Sequence, residues 1–369
     1  MKRRKLIDCC EFISDGDHLP PPKSTDGIPF ITISNITGQN KISFEDTMFV
    51  PKSYYDKLSE TKKARKGDIL YSVVGSFGKP VYVDFEIPMV FQRHIAILRP
   101  KCDVNGKYLY YTMLNSQFYR MMDKLAIGCS QRTVTLDTLR NIEVNLPDKD
   151  IQDQMVEILS LIDEKIDINN NVNDNLEQQI KTIFTFQFLQ NANTEWKQQS
   201  LAELSEMYQP KTISGKDLIA AGNYFVYGAN GIIGKYNQYN HSESEIAVAC
   251  RGASCGSIQM TLPFSWITGN AMVVKPHSDF PYREYLYYYL LAKNPKYLCS
   301  GSAQPQLTRE NLTLYSLKVP STTELNAFES YAEKVRKIII KNQQENIEFS
   351  TLRDWLLPML MNGQATISD

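Results

Sequence analysis

Cysteine and histidine are the side chains that most often hold a metal ion or act as nucleophiles, and this chain has seven cysteines and four histidines. No two cysteines form a Cys-x-x-Cys pair, and no two histidines stand at metal-ligand spacing. The cysteines are Cys9, Cys10, Cys102, Cys129, Cys250, Cys255 and Cys299. We expect neither a metal site nor a disulfide framework, as in a reduced cytoplasmic protein.

Methyl transfer to adenine needs a glycine-rich cofactor loop and an Asp/Asn-Pro-Pro-Tyr/Phe segment that holds the flipped base. Asn294-Pro-Lys-Tyr297 resembles that segment but lacks the second proline. It also follows an apolar run at 285–291, which predicts a helix that packs its aromatic face. We therefore expect no methyltransferase site in this chain.

Two glycine-rich segments could in principle bind phosphate. Gly75-Ser-Phe-Gly78 and Gly228-Ala-Asn-Gly231-Ile-Ile-Gly234 are too loosely spaced for a P-loop or a dinucleotide fingerprint, and no Lys-Ser/Thr follows them. Turns between strands fit both segments better. Asp68 and Asp84 lack the Glu-x-Lys that would complete a nuclease site. The sequence thus predicts no catalytic constellation and no cofactor held by this chain.

The strongest pattern is an internal repeat. The stretch from Gly128 to Pro147 recurs from Gly301 to Pro320, with an offset of 173 residues. Upstream of these stretches, residues 67–75 match 244–252 and residues 107–111 match 284–288, both with an offset of 177. The four-residue difference predicts one change of loop length between the copies.

Each copy begins with short alternating strands among glycines and prolines and ends in a helical segment of about 40 residues. Apolar residues and two asparagines recur at heptad spacing in both segments, which is typical of helices that pair. The pairing residues that we predict are Ile162, Ile166, Asn169, Asn173 and Leu176 in the first segment and Val335, Ile339, Asn342, Asn346 and Phe349 in the second.

A helix of 40 residues is about 60 Å long, too long for the core of one small domain. We therefore predict an α+β fold in which two α/β domains are joined by two long antiparallel coiled-coil helices, with an internal pseudo-twofold repeat. The heptads could instead dimerise two chains. Internal pairing is favoured because both helices are tethered in one chain.

The net charge of −1 conceals an uneven distribution. Residues 1–147 carry 21 basic and 16 acidic side chains, and residues 193–320 carry 11 and 9. The helical segments are acidic, with 3 basic and 9 acidic side chains at 148–192 and with 5 and 7 at 321–369. This distribution fits nucleic acid bound by the domains and protein bound along the helices.

No membrane segment is expected. The basic start Lys2-Arg-Arg-Lys5 resembles a signal peptide, but Asp8 and Glu11 interrupt what should be an apolar core. No apolar run reaches the length of a membrane span.

In its repeated order of globular unit and helix, the chain resembles the specificity (S) subunit of type I restriction-modification systems. The junctions Gly128-Cys-Ser-Gln-Arg-Thr and Gly301-Ser-Ala-Gln-Pro-Gln carry this resemblance. Segments at 227–234, 251–256 and 268–270 are similar to one recurrent type of target-recognition domain. The resemblance extends over essentially the whole chain. One departure is Glu324-Leu-Asn326, where the first copy has Gln152-Asp-Gln154.

The resemblance implies a non-catalytic subunit that binds double-stranded DNA, with each recognition domain reading one half of a bipartite target. It implies recognition domains at 1–147 and 193–320 and spacer helices at 148–192 and 321–369. Two modification (methyltransferase) subunits would dock on the helices, and restriction or motor subunits could join them. S-adenosylmethionine, ATP and Mg²⁺ would belong to those partners.

Base edges are read by forked donors and acceptors, whereas lysine, serine and backbone amides hold phosphates. Polar side chains beside glycines are therefore the candidates for DNA contact. They are Ser34, Asn35, Thr37, Ser76, Gln92, Arg93, Ser130, Gln131 and Arg132 in the first domain and Tyr227, Asn230, Arg251, Ser254, Asn270, Ser302, Gln304 and Gln306 in the second. The basic run of Lys62, Lys63, Arg65 and Lys66 is predicted to face phosphates, with a solvated surface as the alternative.

Two other functions stay open on the sequence alone. A coiled-coil adaptor whose globular ends bind proteins would show no salt-dependent affinity for DNA. A stand-alone methyltransferase would have to bind the methyl donor itself.

Overall fold

The computed structural model describes residues 2–38, 40–129, 131–301 and 304–364. The chain divides into two compact units. Unit 1 comprises Met1–Asp167 with Asn346–Asp369, and unit 2 comprises Ile168–Glu345. Each unit thus combines the strands of one repeat with helical segments from both repeats. The division into four segments that the sequence suggests stays a prediction.

The strands of unit 1 form a central antiparallel sheet of order β2-β10-β7-β8, a smaller sheet of order β6-β3-β9, and the pairs β1-β11 and β4-β5. Within the smaller sheet β3 is parallel to β9. The strands are β1 (Lys2–Lys5), β2 (Cys10–Asp15), β3 (Ile28–Ile31), β4 (Ile36–Gly38), β5 (Lys41–Ile42), β6 (Met48–Val50), β7 (Ile69–Ser72), β8 (Pro80–Tyr82), β9 (Val90–Phe91), β10 (Ile95–Pro100) and β11 (Glu143–Leu146).

The strands of unit 2 follow the same plan, with sheets of order β13-β19-β16-β17 and β15-β14-β18 and the pair β12-β20. Here β14 is parallel to β18, as β3 is to β9. The strands are β12 (Lys197–Ser200), β13 (Ser205–Tyr208), β14 (Tyr224–Gly228), β15 (Gly231–Tyr236), β16 (Ile246–Ala249), β17 (Ile258–Met260), β18 (Trp266–Ile267), β19 (Ala271–Pro276) and β20 (Ser316–Val319). The shared plan confirms the internal repeat.

The α-helices are α1 (Lys52–Lys57), α2 (Gly106–Leu114), α3 (Ser116–Leu125), α4 (Leu136–Asn141), α5 (Lys149–Phe184), α6 (Leu201–Leu204), α7 (Arg283–Ala292), α8 (Arg309–Thr313) and α9 (Thr322–Met361). Of these, α2, α4 and α5 correspond to α7, α8 and α9, whereas α1 and α3 have no α-helical counterpart in the second repeat. After α2 the chain forms α3, whereas after α7 it forms only a 3-10 turn at Pro295–Leu298. This difference explains the change of offset from 177 to 173.

The central strands are apolar on both faces because each face meets a different core. In β10, Ala96 and Leu98 pack in the cluster that contains α2, whereas Ile95 and Ile97 pack against the smaller sheet. A strand that is buried on both sides has an uninterrupted apolar sequence, as β10 has from Ile95 to Leu98. The helices and the smaller sheet therefore clamp the central sheet between them.

The segments of α5 and α9 in unit 2 run antiparallel. Arg336 contacts Glu177, and the Asn342 side chain donates to Asn173 Oδ1 at 2.9 Å. From the first contact to the second, the residue number falls along α5 and rises along α9, so the two helices run in opposite directions. The two helices that the sequence predicts therefore pair within one chain.

Buried charges join these long helices to α2 and α7. In unit 2, Arg336 donates to Glu284 at 3.0 Å and to the Tyr288 hydroxyl at 2.9 Å, and that hydroxyl donates to Glu177 at 2.8 Å. In unit 1, Asp163 accepts hydrogen bonds from the Tyr111 hydroxyl and from Arg353, each at 2.8 Å. Both arrangements use a carboxylate of α5, an arginine of α9 and a tyrosine of the repeat.

The start of α2 and the start of α7 are each held by a side chain from a long helix. Gln152 of α5 accepts from the Asn105 amide at 2.9 Å and donates to the Pro147 carbonyl at 2.9 Å. Glu329 of α9 accepts from the amides of residues 284 and 285 at 2.9 and 3.1 Å. A carboxylate thus stands in unit 2 where unit 1 has a neutral amide.

We predict that Glu329 makes the stability of the protein depend on pH. Burial raises the pKa of Glu329 from its ordinary value of 4.5 to about 7. The folded state therefore binds this proton more tightly than the unfolded state, and the stability is lost as the pH rises from about 4.5 to about 7. The loss amounts to about 3 kcal/mol, measurable by urea unfolding across that range.

Glu329→Gln should remove this part of the pH dependence, although it also replaces one accepting oxygen by an amide donor. The matched variant is Gln152→Glu, which places a buried carboxylate in unit 1 and should introduce the same loss. An unchanged pH profile in both variants would contradict the assignment.

Candidate functional site

Two loops meet in each unit, and they contain many of the predicted DNA-contacting residues. We call residues 73–79 and 250–256 the glycine loops, and residues 127–133 and 300–306 the junction loops. Each glycine loop directly follows a central strand, β7 or β16. A rigid strand end therefore positions each site.

In unit 1 the loops are joined by backbone hydrogen bonds. The Gly75 amide donates to the Arg132 carbonyl at 2.9 Å, and the Val134 amide donates to the Val73 carbonyl at 2.8 Å. The base of the junction loop is closed by two further bonds, at 2.9 and 2.8 Å, exchanged between Ile127 and Thr133.

Unit 2 repeats this pattern bond for bond. The Gly252 amide donates to the Pro305 carbonyl at 3.1 Å, and the Leu307 amide donates to the Cys250 carbonyl at 2.9 Å. Ser300 and Gln306 exchange two bonds of 2.8 Å. Because backbone atoms make all these bonds, the side chains of the loops are free to differ between the units.

The second residue of each junction loop is a glycine in the left-handed region. Gly128 has φ +92° and Gly301 has φ +89°. An added Cβ would lie 2.6 Å from the Gln131 carbonyl oxygen and 2.9 Å from the Gln304 carbonyl oxygen, respectively. Both the turn and the close approach require glycine.

In unit 1 the structure brings Ser76, Gln131 and Arg132 to one exposed surface. Gln131 lies beside the glycine loop, with its Nε2 atom 3.6 Å from the place where a Cβ on Gly75 would be. Ser130, which the sequence also predicts to contact DNA, lies outside the described residues. The exposed amide of Gln131 has the forked donor and acceptor that base reading needs.

Arg132 is held against the end of α3. Its guanidinium donates to the Asp123 carbonyl and lies 3.3 Å from the Asp123 carboxylate. A cation at a helix C-terminus satisfies carbonyls that have no partner within the helix. Arg132 therefore has a structural role that sequence reasoning missed, although its side chain stays partly exposed.

The candidates Ser34, Asn35 and Thr37 lie on a different part of unit 1. Asn35 is buried, and its side chain accepts from the Thr32 amide at 2.9 Å and donates to the Thr47 hydroxyl at 2.9 Å. Asn35 therefore braces the backbone of this segment. Ser34 and Thr37 are exposed and line a shallow cavity of about 440 Å³.

Gln92 and Arg93 follow β9 and connect it to β10. The Gln92 amide donates to the Ile31 carbonyl at 2.9 Å, and the Arg93 amide donates to the Asp17 carbonyl at 2.9 Å. Gln92 is half-buried, and Arg93 is exposed. Of these two, Arg93 is the side chain that solvent and a ligand can reach.

Most of the basic run is engaged with carboxylates. Lys62 contacts Asp17 at 3.0 Å, and Lys63 contacts Glu60 at 3.0 Å. Burial opposes ionisation of Asp17, but hydrogen bonds from Tyr54 and Lys62 lower its pKa, which keeps this partner charged. Arg65 lies 3.8 Å from Glu11, whereas Lys66 is exposed. Much of the positive charge is thus balanced within the protein.

In unit 2 the structure brings Arg251, Ser254, Gln304 and Gln306 together on the two loops. Arg251, Gln304 and Gln306 are exposed, and Ser254 is half-buried. Ser302 lies outside the described residues. This group carries one arginine and two amide side chains, which can bind guanine and adenine edges respectively.

The other candidates of unit 2 surround these loops or lie in the core. Asn270 is exposed, and its carbonyl accepts from the Cys250 amide at 2.9 Å. Asn230 is exposed in the turn between β14 and β15. Tyr227 is buried, and its hydroxyl accepts from the Leu262 amide at 3.1 Å, so it supports the core.

Sequence reasoning missed an aromatic surface beside the loops of unit 1. Tyr119 stacks on Phe77 with ring centroids 5.5 Å apart and planes inclined by 13°, and it remains 42% exposed. Ile127 of the junction loop is 61% exposed. Tyr119 lies on α3, which has no counterpart in the second repeat, and so the repeat gave no signal for it.

The predicted helix-pairing residues face inward to different degrees. The side chain of Asn169 donates to Glu345 at 3.3 Å. Five are buried (Ile162, Asn169, Asn173, Val335 and Ile339), and five are half-buried (Ile166, Leu176, Asn342, Asn346 and Phe349).

Within the described part of the chain, no group of three or more histidine, cysteine, aspartate or glutamate side chains is arranged to hold a metal ion. None of the helices described has the length and apolar character that crossing a lipid bilayer requires.

A family model described as "Type I restriction modification DNA specificity domain" matches residues 1–178 and again residues 193–351. The two matches follow the two repeats.

Curated relatives carry related names. The HindI type I restriction enzyme specificity subunit of Haemophilus influenzae is 27% identical over 173 residues, which are 44% of this chain and 38% of that protein. The MjaIX specificity subunit of Methanocaldococcus jannaschii is 20% identical over 320 residues, 76% of this chain and 74% of that protein. The match thus spans less than two fifths of the HindI relative.

A solved structure shares the fold. The crystal structure of a type I restriction-modification S subunit from M. genitalium superimposes with a TM-score of 0.58, at 17% identity, over 100% of this chain and 96% of that one.

We predict that the junction-loop glycines cannot be replaced without loss of stability. Gly128→Ala and Gly301→Ala should each lower the free energy of unfolding by about 1–3 kcal/mol, because the backbone must leave its turn to avoid a carbonyl oxygen. Urea unfolding measures the change. Gly215→Ala is the control, since no heavy atom lies within 4 Å of its added Cβ. Equal effects at all three positions would contradict this explanation.

Proposed function

The chain belongs to the type I restriction-modification DNA specificity family, and on that premise we propose that it is the sequence-specific DNA-binding subunit of such a system. It reads a bipartite target in double-stranded DNA, one half through the loops of each unit. It has no catalytic role of its own in this proposal.

One observation carries the proposal: the same pair of loops is built twice, on identical backbone bonds, with different polar side chains. Both units present a glutamine at the same place in the junction loop, Gln131 and Gln304. Unit 1 adds Ser76, whereas unit 2 adds Arg251 and Gln306. A repeated scaffold with unlike forked side chains is what two readers of unlike half-sites require. An asymmetric bipartite target follows from that difference.

We propose further that methyltransferase subunits dock on α5 and α9. Large apolar side chains on these helices are exposed in both units: Leu161, Leu352 and Trp355 in unit 1 and Ile168, Val172, Tyr331 and Ile338 in unit 2. Apolar residues on one face of a helix support a protein interface. Restriction or motor subunits join this assembly.

The cofactors belong to the partners in this proposal. The methyltransferase subunits supply S-adenosylmethionine, and the motor subunits supply ATP and Mg²⁺ chemistry. The complex acts in the cytoplasm, where its DNA substrate is present.

The exposed apolar side chains also favour a second candidate, a coiled-coil adaptor that binds only proteins. The two functions differ in their response to salt. A DNA reader must lose affinity steeply as salt increases, because phosphate contacts release counterions. If the protein does not bind DNA, or binds it with an affinity that does not change with salt, the adaptor function is supported.

We predict that Gln131→Ala and Gln304→Ala weaken different half-sites. A forked contact to a base is worth about 1–3 kcal/mol, or about 5- to 150-fold in affinity. The target is first defined by sequencing methylated adenines, and each variant is then titrated, with the methyltransferase partner, against DNA altered in one half-site.

The control is Gln343→Ala, which removes an exposed amide that belongs to α9 and to neither loop. Each loop variant should lose discrimination in one half-site alone and keep it in the other. A uniform loss on both half-sites and on random DNA would show that these residues contact only phosphates.

We predict that Trp355→Ala releases a methyltransferase subunit. Trp355 is 56% exposed on α9, so its removal should leave folding intact and weaken binding by about 2 kcal/mol or more. The measurement is the subunit stoichiometry of the purified complex by mass photometry. Glu348→Ala, at another exposed position of α9, should leave it unchanged. Full retention of partners by the Trp355 variant would place the docking surface elsewhere.

A further inference from the structure

A close pair of thiols lies where the two loops of unit 2 meet. The Sγ atoms of Cys255 and Cys299 lie 2.7 Å apart. The residues are 44 positions apart in the chain, so the fold brings them together. Cys255 lies in the glycine loop, and Cys299 directly precedes the junction loop.

The backbone around these thiols is tightly packed. An added Cβ on Gly256 would lie 2.9 Å from the Lys296 Cα atom, so the glycine loop and the turn Pro295–Leu298 touch through their main chains. The Cys255 amide donates to the Gly252 carbonyl at 3.0 Å, and the Cys299 amide donates to the Lys296 carbonyl at 3.1 Å. Both cysteines are thus fixed by local turns.

We propose that Cys255 and Cys299 form a modification site, where a two-electron oxidant of the peroxide class converts the thiols into a disulfide that ties the two loops together. Cys299 is half-buried and meets the oxidant first, whereas Cys255 is buried. Burial, with the neighbouring Cys299, raises the pKa of Cys255 to about 12, which keeps Cys255 protonated until it reacts.

The reaction balances with hydrogen peroxide as the only co-reactant. The Cys299 thiol releases its proton, and the thiolate attacks one peroxide oxygen. The O–O bond breaks, the departing hydroxide takes up the thiol proton, and sulfenic acid and one water form. The Cys255 sulfur then attacks the Cys299 sulfur, the S–O bond breaks, and the hydroxyl leaves as a second water with the Cys255 proton. Two thiols are oxidised, and one peroxide is reduced.

The site exists in unit 2 alone. With the offset of 177, the residue of unit 1 that corresponds to Cys255 is Gly78, and the ring of Tyr119 lies 2.5 Å from the position that a Cβ there would take. Oxidation would therefore constrain one pair of loops and leave the other unchanged.

The test uses the full chain, treated with hydrogen peroxide and then alkylated in denaturant with N-ethylmaleimide. We expect two of the seven thiols to escape alkylation, a crosslinked peptide that joins Cys255 to Cys299, and recovery of both thiols with dithiothreitol. Cys299→Ser should abolish the crosslink, and Cys102→Ser, which removes an exposed cysteine, should leave it intact. Seven alkylated thiols, or sulfinic acid at Cys299 without a crosslink, would overturn the proposal.

A second measurement, amide hydrogen exchange, reports on the loops directly. It needs no DNA, so its outcome does not depend on the proposed function. The amides of Gly252 and Gln306 should exchange hydrogen about tenfold more slowly in the oxidised wild-type chain, because the crosslink restrains both loops. The Gly75 amide in unit 1 should exchange at its original rate. Unchanged exchange at Gly252 and Gln306 in the crosslinked protein would show that the disulfide does not tie the loops.

Discussion

A half-buried carboxylate of α5, paired with a buried arginine of α9, holds three elements together in each unit, and the position of the glycine and junction loops depends on this pair. Asp163 binds Tyr111 of α2 and Arg353 of α9, and Glu177 binds Tyr288 of α7 and contacts Arg336 of α9. A charge removed from water costs several kcal/mol unless its partners surround it. The helix that carries the tyrosine (α2 or α7), α5 and α9 must therefore be present together. Because α2 also packs against the central sheet, a strand end and its glycine loop are fixed with respect to the long helices.

Much of the architecture could be predicted from the sequence because it depends on repetition and on local signals. The matching stretches after Gly128 and Gly301 revealed the repeat, and Pro147 and Pro320 marked where strands give way to long helices. The sequence predicts a turn between strands around Asn230, and this segment joins β14 to β15. Such features need only neighbouring residues to be recognised. The four-residue change of offset was also visible, although its cause, the presence of α3, was not.

The roles of single polar side chains were harder to predict because distant contacts decide them. Asn35 and Tyr227 are polar residues of the kind expected to contact DNA. Their side chains instead form hydrogen bonds with the backbone amides of Thr32 and Leu262. Lys62 meets Asp17, 45 positions away. No local pattern reports such contacts. The same limit applies to Glu329, which performs in unit 2 the capping that Gln152 performs in unit 1, one helical turn further along its own helix.

The bonds that close the loops run between backbone amides and carbonyls, and this has a consequence for how the protein can evolve. Replacing Gln131 or Gln304 changes the hydrogen-bonding groups on the surface, but it removes none of the backbone hydrogen bonds that shape the loops. Single amino-acid substitutions at these positions can therefore change the binding preference of the loops, and most of the intermediate sequences stay folded. Arg132 is the exception, since its tie to the end of α3 makes drift at that position costly.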